Sequence, residues 1–253
     1  MSGVSAPPET VGSEYRQARF SPPPGATVIL LVRHGESAAA SDDTEFALVD
    51  GHGDPELHPD GRRQAELVGA RLADVPLAAI YVTTLRRTAE TAAPLAARLG
   101  LTPVVEADLR EVHLGEWEGG RYRRFMRDRH PVALQVMAEE RWDAIPGAEP
   151  SDAFAARVRR GVESIAARHP DQTVAAFVHG GVIGSALAQA TASRPFAFVG
   201  ADNASVSEIV VTADRWVLRR YNDTAHLETA PPDTASPDTP SPDTAPGTVE
   251  RPV

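Results

Sequence analysis

The sequence predicts an α/β fold: a three-layer sandwich whose mostly parallel central sheet is flanked by helices, with disordered N- and C-terminal segments. Two observations predict it. Between residues 25 and 229 short continuous apolar runs alternate with longer stretches of helical periodicity, the mark of strands buried on both faces by crossover helices. The two most apolar runs, Val28–Val32 and Val174–Val178, both lead into His-Gly, where an open α/β sheet places its ligands. The ends of the chain are different material. Of 22 prolines, five fall in residues 1–24 and seven in 231–253, which sets a flexible head (1–24) and a disordered Pro/Asp/Thr-rich tail (230–253) apart from one domain at 25–229. The tail repeats Pro-Asp-Thr at Pro232, Pro237 and Pro242 and has too little apolar surface to offset the entropy of ordering.

Taken in order, Thr27–Val32 reads as the first strand, and Gly61–Ala73 as a helix behind an Asp60 cap. Ala78–Val82 is a strand, Arg86–Leu99 a helix, and Pro103–Glu106 a short strand. An Arg-rich helical stretch follows, then a second helix near Ala153–Arg168, so the stretch between Glu111 and His179 has room for about two helices. Thr173–Val178 is a strand, a helix runs from Gly181 to about Ala192, and Ser205–Val211 with Arg215–Tyr221 reads as a closing hairpin around Ala213–Asp214.

Composition narrows the function. With 25 basic against 35 acidic side chains the net charge is -10, which opposes the pull of nucleic-acid backbones and anionic lipid surfaces. Neither nucleic acid nor membrane is an expected partner. The absence of cysteine excludes disulfide frameworks, thiolate metal sites and cysteine nucleophiles. No basic start leads into an apolar stretch, and no later run approaches the roughly 18 residues of a membrane span. The expectation is a cytoplasmic protein. Composition fixes no oligomeric state.

The candidate chemistry gathers at strand ends. Arg33-His34-Gly35 and His179-Gly180-Gly181 each follow a buried run, so two imidazoles can face one crevice beside helix N-termini, with glycines letting backbone approach an oxyanion. Arg86 and Arg87 open a helix against its dipole, which is disfavoured unless an anion sits there. Arg86 reads as solvated and Arg87 as a site residue. Glu111 precedes Gly115-Glu116-Trp117-Glu118-Gly119, where an aromatic neighbour would raise a carboxyl pKa enough for it to donate a proton.

These segments resemble the histidine phosphatase superfamily, the branch that includes phosphoglycerate mutase and related phosphatases, over about residues 27–221. The family's Arg-His-Gly is similar to Arg33, His34 and Gly35. Its L-x-x-x-G-x-x-Q-A pattern falls on Leu57, Gly61, Gln64 and Ala65, and its S-x-L-x-R-A-x-x-T-A segment on TTLRRTAETA, with Thr83 for serine and Arg87 at the functional arginine. Its acid falls on Glu111 and its second histidine on His179. The resemblance implies a metal-independent phosphatase in which His34 attacks a small phosphomonoester and becomes phosphohistidine. It further implies that Arg33, Arg87 and a protonated His179 clamp the phosphoryl oxygens, with Ser37 and Gly180 among the substrate contacts. Glu111 would serve as acid and then base. No cofactor and no metal are implied, and the partner is a small-molecule phosphate ester.

Two departures bear on substrate recognition: Ala40 stands where many members have asparagine, and the acidic segment SAAASDDTEFALVDGHGD is longer than usual. The apparently short cap and the GEWEG sequence favour hydrolysis over phosphoglycerate mutase-type transfer, the alternative. A catalytically silent scaffold is a second alternative. A dinucleotide-binding reading lacks Gly-x-Gly-x-x-Gly, and the flanking arginines would repel a cation from a di-histidine metal site. The cluster Arg121, Arg123, Arg124, Arg127 and Arg129 is either a solvated face or a lid gripping a second anionic group, with Arg123 and Arg127 as its expected grips.

Overall fold

The computed structural model of the chain describes residues 17–228. The expected tail, and the expected flexible head apart from residues 17–24, lie outside them. In chain order the elements are β1 (Thr27–Arg33), β2 (Leu48–Val49), β3 (His52–Gly53), α1 (Pro59–Leu72), β4 (Leu77–Val82), α2 (Arg86–Leu99), β5 (Val104–Val105), α3 (Arg121–Arg127), α4 (Pro131–Glu139), α5 (Ser151–Arg168), β6 (Thr173–Val178), α6 (Gly180–Thr191), β7 (Val206–Val211) and β8 (Trp216–Asp223).

Six strands form one sheet in the order β5-β4-β6-β1-β7-β8. The first four run parallel, β7 is antiparallel to β1, and β8 is antiparallel to β7. Alternation along β1 assigns its two faces. Ile29 and Leu31 join Phe154, Val158, Val162, Ile183 and Leu187 of α5 and α6, whereas Leu30 and Val32 join Val68, Leu72, Ala92 and Leu95 of α1 and α2. The sheet is thus covered on both faces, as the sequence predicts. Each fully buried aliphatic side chain contributes about 1.5–3 kcal/mol.

Register positions the site. Arg33 of β1 pairs with Val178 of β6, so the residues that follow these two neighbouring parallel strands, His34 and His179, emerge side by side. The chain between the site's elements departs from expectation in three places. Three α-helices, not two, lie between Glu111 and His179, because Pro131 starts a new helix after the Arg-rich one. The 18-residue α5 packs on the sheet, leaving the short α3 and α4 outside it. The cap of α1 is His58, whose Nδ1 accepts the Asp60 backbone N–H at 3.3 Å, with Pro59 in the first turn and Asp60 inside the helix. The acidic segment carries the small β2–β3 ladder, which the sequence did not predict.

Glycines Gly35 and Gly61 serve packing rather than oxyanion approach. A Cβ on Gly61 would lie 2.0 Å from the Glu36 carbonyl oxygen, and one on Gly35 would lie 2.5 Å from that of Gly61. The loop after β1 and the start of α1 therefore touch backbone to backbone. Gly61→Ala is expected to lower stability by about 1–3 kcal/mol through overpacking, read as a lower urea midpoint at unchanged slope. An unchanged midpoint would mean the loop yields freely.

Candidate active site

The loop after β1 is held from several sides. Gly35 N–H donates to Thr91 Oγ1 (2.9 Å), Glu36 N–H donates to Gln64 Oε1 (2.8 Å), and Asn203 Nδ2 donates to the His34 carbonyl (2.9 Å). His34 is 6% exposed, and its Nδ1 lies 2.7 Å from the Gly35 carbonyl. A carbonyl only accepts, so Nδ1 carries the proton and Nε2 keeps its lone pair.

His179, fully buried at the N-terminus of α6, lies across from it with ring centroids 5.3 Å apart at 62°. Its Nε2 is 3.0 Å from Thr83 Oγ1, which also neighbours Thr88 Oγ1 at 3.2 Å, and its Nδ1 is buried with no partner among the described residues. Burial, followed by the charge of Arg87, holds the pKa of both imidazoles well below the ordinary value. In the free site both rings are therefore biased toward the neutral form.

The positive charge is supplied by guanidinium groups. Arg33 donates through Nη1 to the Ala201 carbonyl, while its buried Nε has no partner among the described residues. Arg87, 8% exposed, points inward and donates to the Gly53 carbonyl at 3.0 Å, with Asp54 4.0 Å away. Desolvation lowers Arg33 and brings Arg87 down to about 10, where Arg87 remains cationic near neutrality. The unpredicted strand β3 supplies Gly53, and Glu118 of the GEWEG segment fixes it by accepting Gly53 N–H at 2.7 Å. Arg86, in contrast, is exposed and paired with Glu90 at 2.8 Å, as its solvated reading requires.

Glu111 faces the same crevice. Its Oε2 accepts Gly181 N–H at 3.2 Å and its Oε1 accepts Val112 N–H at 3.0 Å, with buried Trp117 lining the same lobe. The close approach expected of the glycine pair occurs at Gly181, where a Cβ would meet Glu111 Oε1 at 2.5 Å. At Gly180 the nearest atom would be Arg33 Nε at an ordinary 3.5 Å. Arg157 of α5 holds the Glu111 loop by donating to the Glu111 carbonyl (2.7 Å) and the Asp108 carbonyl (2.9 Å) while paired with Glu149 (2.7 Å). Ser37 is buried and accepts from Arg123 Nη2 at 2.6 Å.

The crevice has two lobes. An inner one of about 310 Å³ holds Arg87, Glu111, Trp117 and Gly181, and an outer one of about 480 Å³ holds Ser37, Asn203 and the α3 arginines. Arg33, His34, Gly120 and Arg123 line both. Thr83, Arg157, Asn203 and the Gly53 carbonyl are site parts that sequence reasoning did not assign. For Thr83 the signal was present, in its match to the family serine.

Paired imidazoles and inward guanidiniums at the carboxyl ends of parallel strands define a phosphoryl-handling enzyme, and the comparisons give its family. Residues 29–224 match the model of the histidine phosphatase superfamily (branch 1), to which the chain belongs. It is a phosphomonoesterase of the histidine phosphatase type. Phosphoglycerate mutase-like protein 4 of Arabidopsis thaliana is 33% identical over 207 residues, 79% of this chain and 86% of that protein. The metal-independent phosphoserine phosphatase of the same plant is 29% identical over 208 residues, 80% of this chain and 84% of that one. The native structure of a mycobacterial glucosyl-3-phosphoglycerate phosphatase has a TM-score of 0.66 at 28% identity, covering 79% of this chain and 100% of that chain. Among the described residues no helix is long and apolar enough to cross a membrane.

Proposed function

We propose that the chain hydrolyses a small phosphomonoester without a metal, through a phosphohistidine on His34. The observation that carries this reading is the pair of imidazoles, their centroids 5.3 Å apart between two inward guanidiniums, with His34 Nδ1 committed to a carbonyl and Nε2 without a partner among the described residues. His34 Nε2 attacks phosphorus in line. The bond to the leaving oxygen breaks as Glu111 gives that oxygen its proton. Arg33 and Arg87 neutralise the equatorial oxygens, and His179 and the Gly180 N–H at the start of α6 are their further contacts. Water then attacks the phosphohistidine, Glu111 takes its proton, and inorganic phosphate leaves with His34 neutral again.

The two guanidiniums disfavour a cation at the same point, which supports metal-independent chemistry. The relatives whose names include phosphoserine phosphatase and glucosyl-3-phosphoglycerate phosphatase support hydrolysis over mutation of phosphate position. A cytoplasmic setting belongs to the same reading. The test is phosphate release from p-nitrophenyl phosphate by protein kept in chelator. Turnover undiminished by the chelator is expected. Turnover that needs added divalent metal, or isomerisation of 3-phosphoglycerate without phosphate release, would overturn the reading.

A further inference from the structure

The five arginines of the Arg-rich segment are not equivalent. Arg121 pairs with Glu45, Arg124 with Asp42 at 3.3 Å, and Arg127 with its neighbour Asp128 at 2.8 Å. Arg129 follows the helix and is exposed. Arg123 alone among the four in α3 has no carboxylate partner among the described residues. Its guanidinium instead turns toward the loop after His34. Nη1 donates to the Ala38 carbonyl at 2.8 Å, Nη2 donates to Ser37 Oγ at 2.6 Å, and the group lies over the Phe46 ring 5.5 Å from its centroid.

This placement gives a fixed charge, without a carboxylate partner among the described residues, where the two lobes meet. Burial and then the neighbouring Arg33 charge disfavour the Arg123 cation, and Glu36 offsets part of that cost. A substrate whose phosphoryl group lies on His34 has its leaving oxygen toward Glu111, and the rest of its leaving group must pass the residues lining the inner lobe, Arg123 included. A rigid planar fork held by neutral acceptors suits a bidentate anion better than a mobile ammonium would.

We propose that Arg123 is a specificity-determining residue, gripping a second anionic group, a carboxylate or a second phosphoryl, on the leaving group of the ester. The proposal rests on the phosphatase reading above and adds the substrate class. It also separates the two arginines that the sequence placed together, because Arg127 is paired with Asp128 whereas Arg123 is held by neutral acceptors.

The test compares kcat/KM within two pairs of esters that differ in the second anion: 3-phosphoglycerate against glycerol 3-phosphate, and fructose 1,6-bisphosphate against fructose 6-phosphate. The wild-type protein is expected to favour the doubly anionic member of one pair. Which pair shows the preference tells carboxylate from phosphoryl. Arg123→Gln should shrink that ratio by on the order of 10- to 100-fold, the range for a charge-assisted contact, mainly through KM. Arg123→Lys should restore part of it, and Arg129→Ala, outside both lobes, should leave the ratio at its wild-type value. No preference in either pair, or Arg123→Gln lowering both members equally, overturns the proposal while leaving the phosphatase reading intact. Failure of the wild type to release phosphate from any ester overturns both.

Discussion

His34→Ala is expected to lower kcat/KM on every phosphate ester by on the order of 10⁴ or more, the scale seen when a covalent nucleophile is removed from a site that keeps its remaining groups. The loss should be this large because Arg33 and Arg87 still bind the anion but have no lone pair to offer phosphorus. A second readout follows from the covalent step. Rapid quenching of the wild type with a labelled ester should leave an acid-labile, alkali-stable label on the protein, and His34→Ala should carry none. Label persisting in the variant would move the nucleophile elsewhere.

The same ring sets an acid limit on activity. Protonation of Nε2 removes the nucleophile, and burial together with Arg87 holds the pKa of His34 well below 6.5. As pH falls through 6.5 the free enzyme therefore still has an unprotonated nucleophile, and the acid limb of kcat/KM lies below that value. The measurement must first be corrected for the ester's own second ionisation, near about 6. A corrected limb at or above 6.5 would contradict a buried, neutral His34.

What could be read from the residues divides along sequence distance. The inner strands β1, β4 and β6 are legible because each holds an unbroken apolar run a few residues long, and α2 has the same bounds in the structure, Arg86–Leu99, as in the sequence. The β2 and β3 strands have two residues each, too few for any period to show. The split between α3 and α4 is marked by Pro131, a breaker the sequence reading passed over.

At the site, Arg33, His34 and His179 are legible because strand, histidine and glycine are adjacent in the chain. Their supports are not. Arg87 is held by a carbonyl 34 positions away, and the His34 carbonyl by Asn203 at a separation of 169. Backbone acceptors of this kind leave no mark on residue type. The proton balance of His179 in the free site is not legible for the same reason. Whether an imidazole is protonated depends on its burial, and on the inward turn of Arg87 beside it, neither of which is a property of the His-Gly-Gly segment.

Glu111→Gln separates the two halves of the chemistry, because its cost depends on the leaving group. An alkoxide leaves only with a proton, so on a simple alkyl phosphate the variant should lose on the order of 10²- to 10⁴-fold in kcat/KM. A nitrophenolate leaves unaided, and on p-nitrophenyl phosphate the first step should be little affected. Any loss there belongs to the second step, where Glu111 takes the proton of water, and should appear as phosphohistidine accumulating during turnover. The amide is nearly isosteric, so Arg157 still anchors the backbone through the Glu111 carbonyl. Gln can accept from only one of the two N–H groups, Val112 and Gly181, that now meet the two carboxylate oxygens at 3.0 and 3.2 Å. Lost support of this kind would slow formation of phosphohistidine on both esters alike. Equal losses on the alkyl and nitrophenyl esters, with no accumulated label, would therefore make Glu111 a positioning residue and leave the proton to another group.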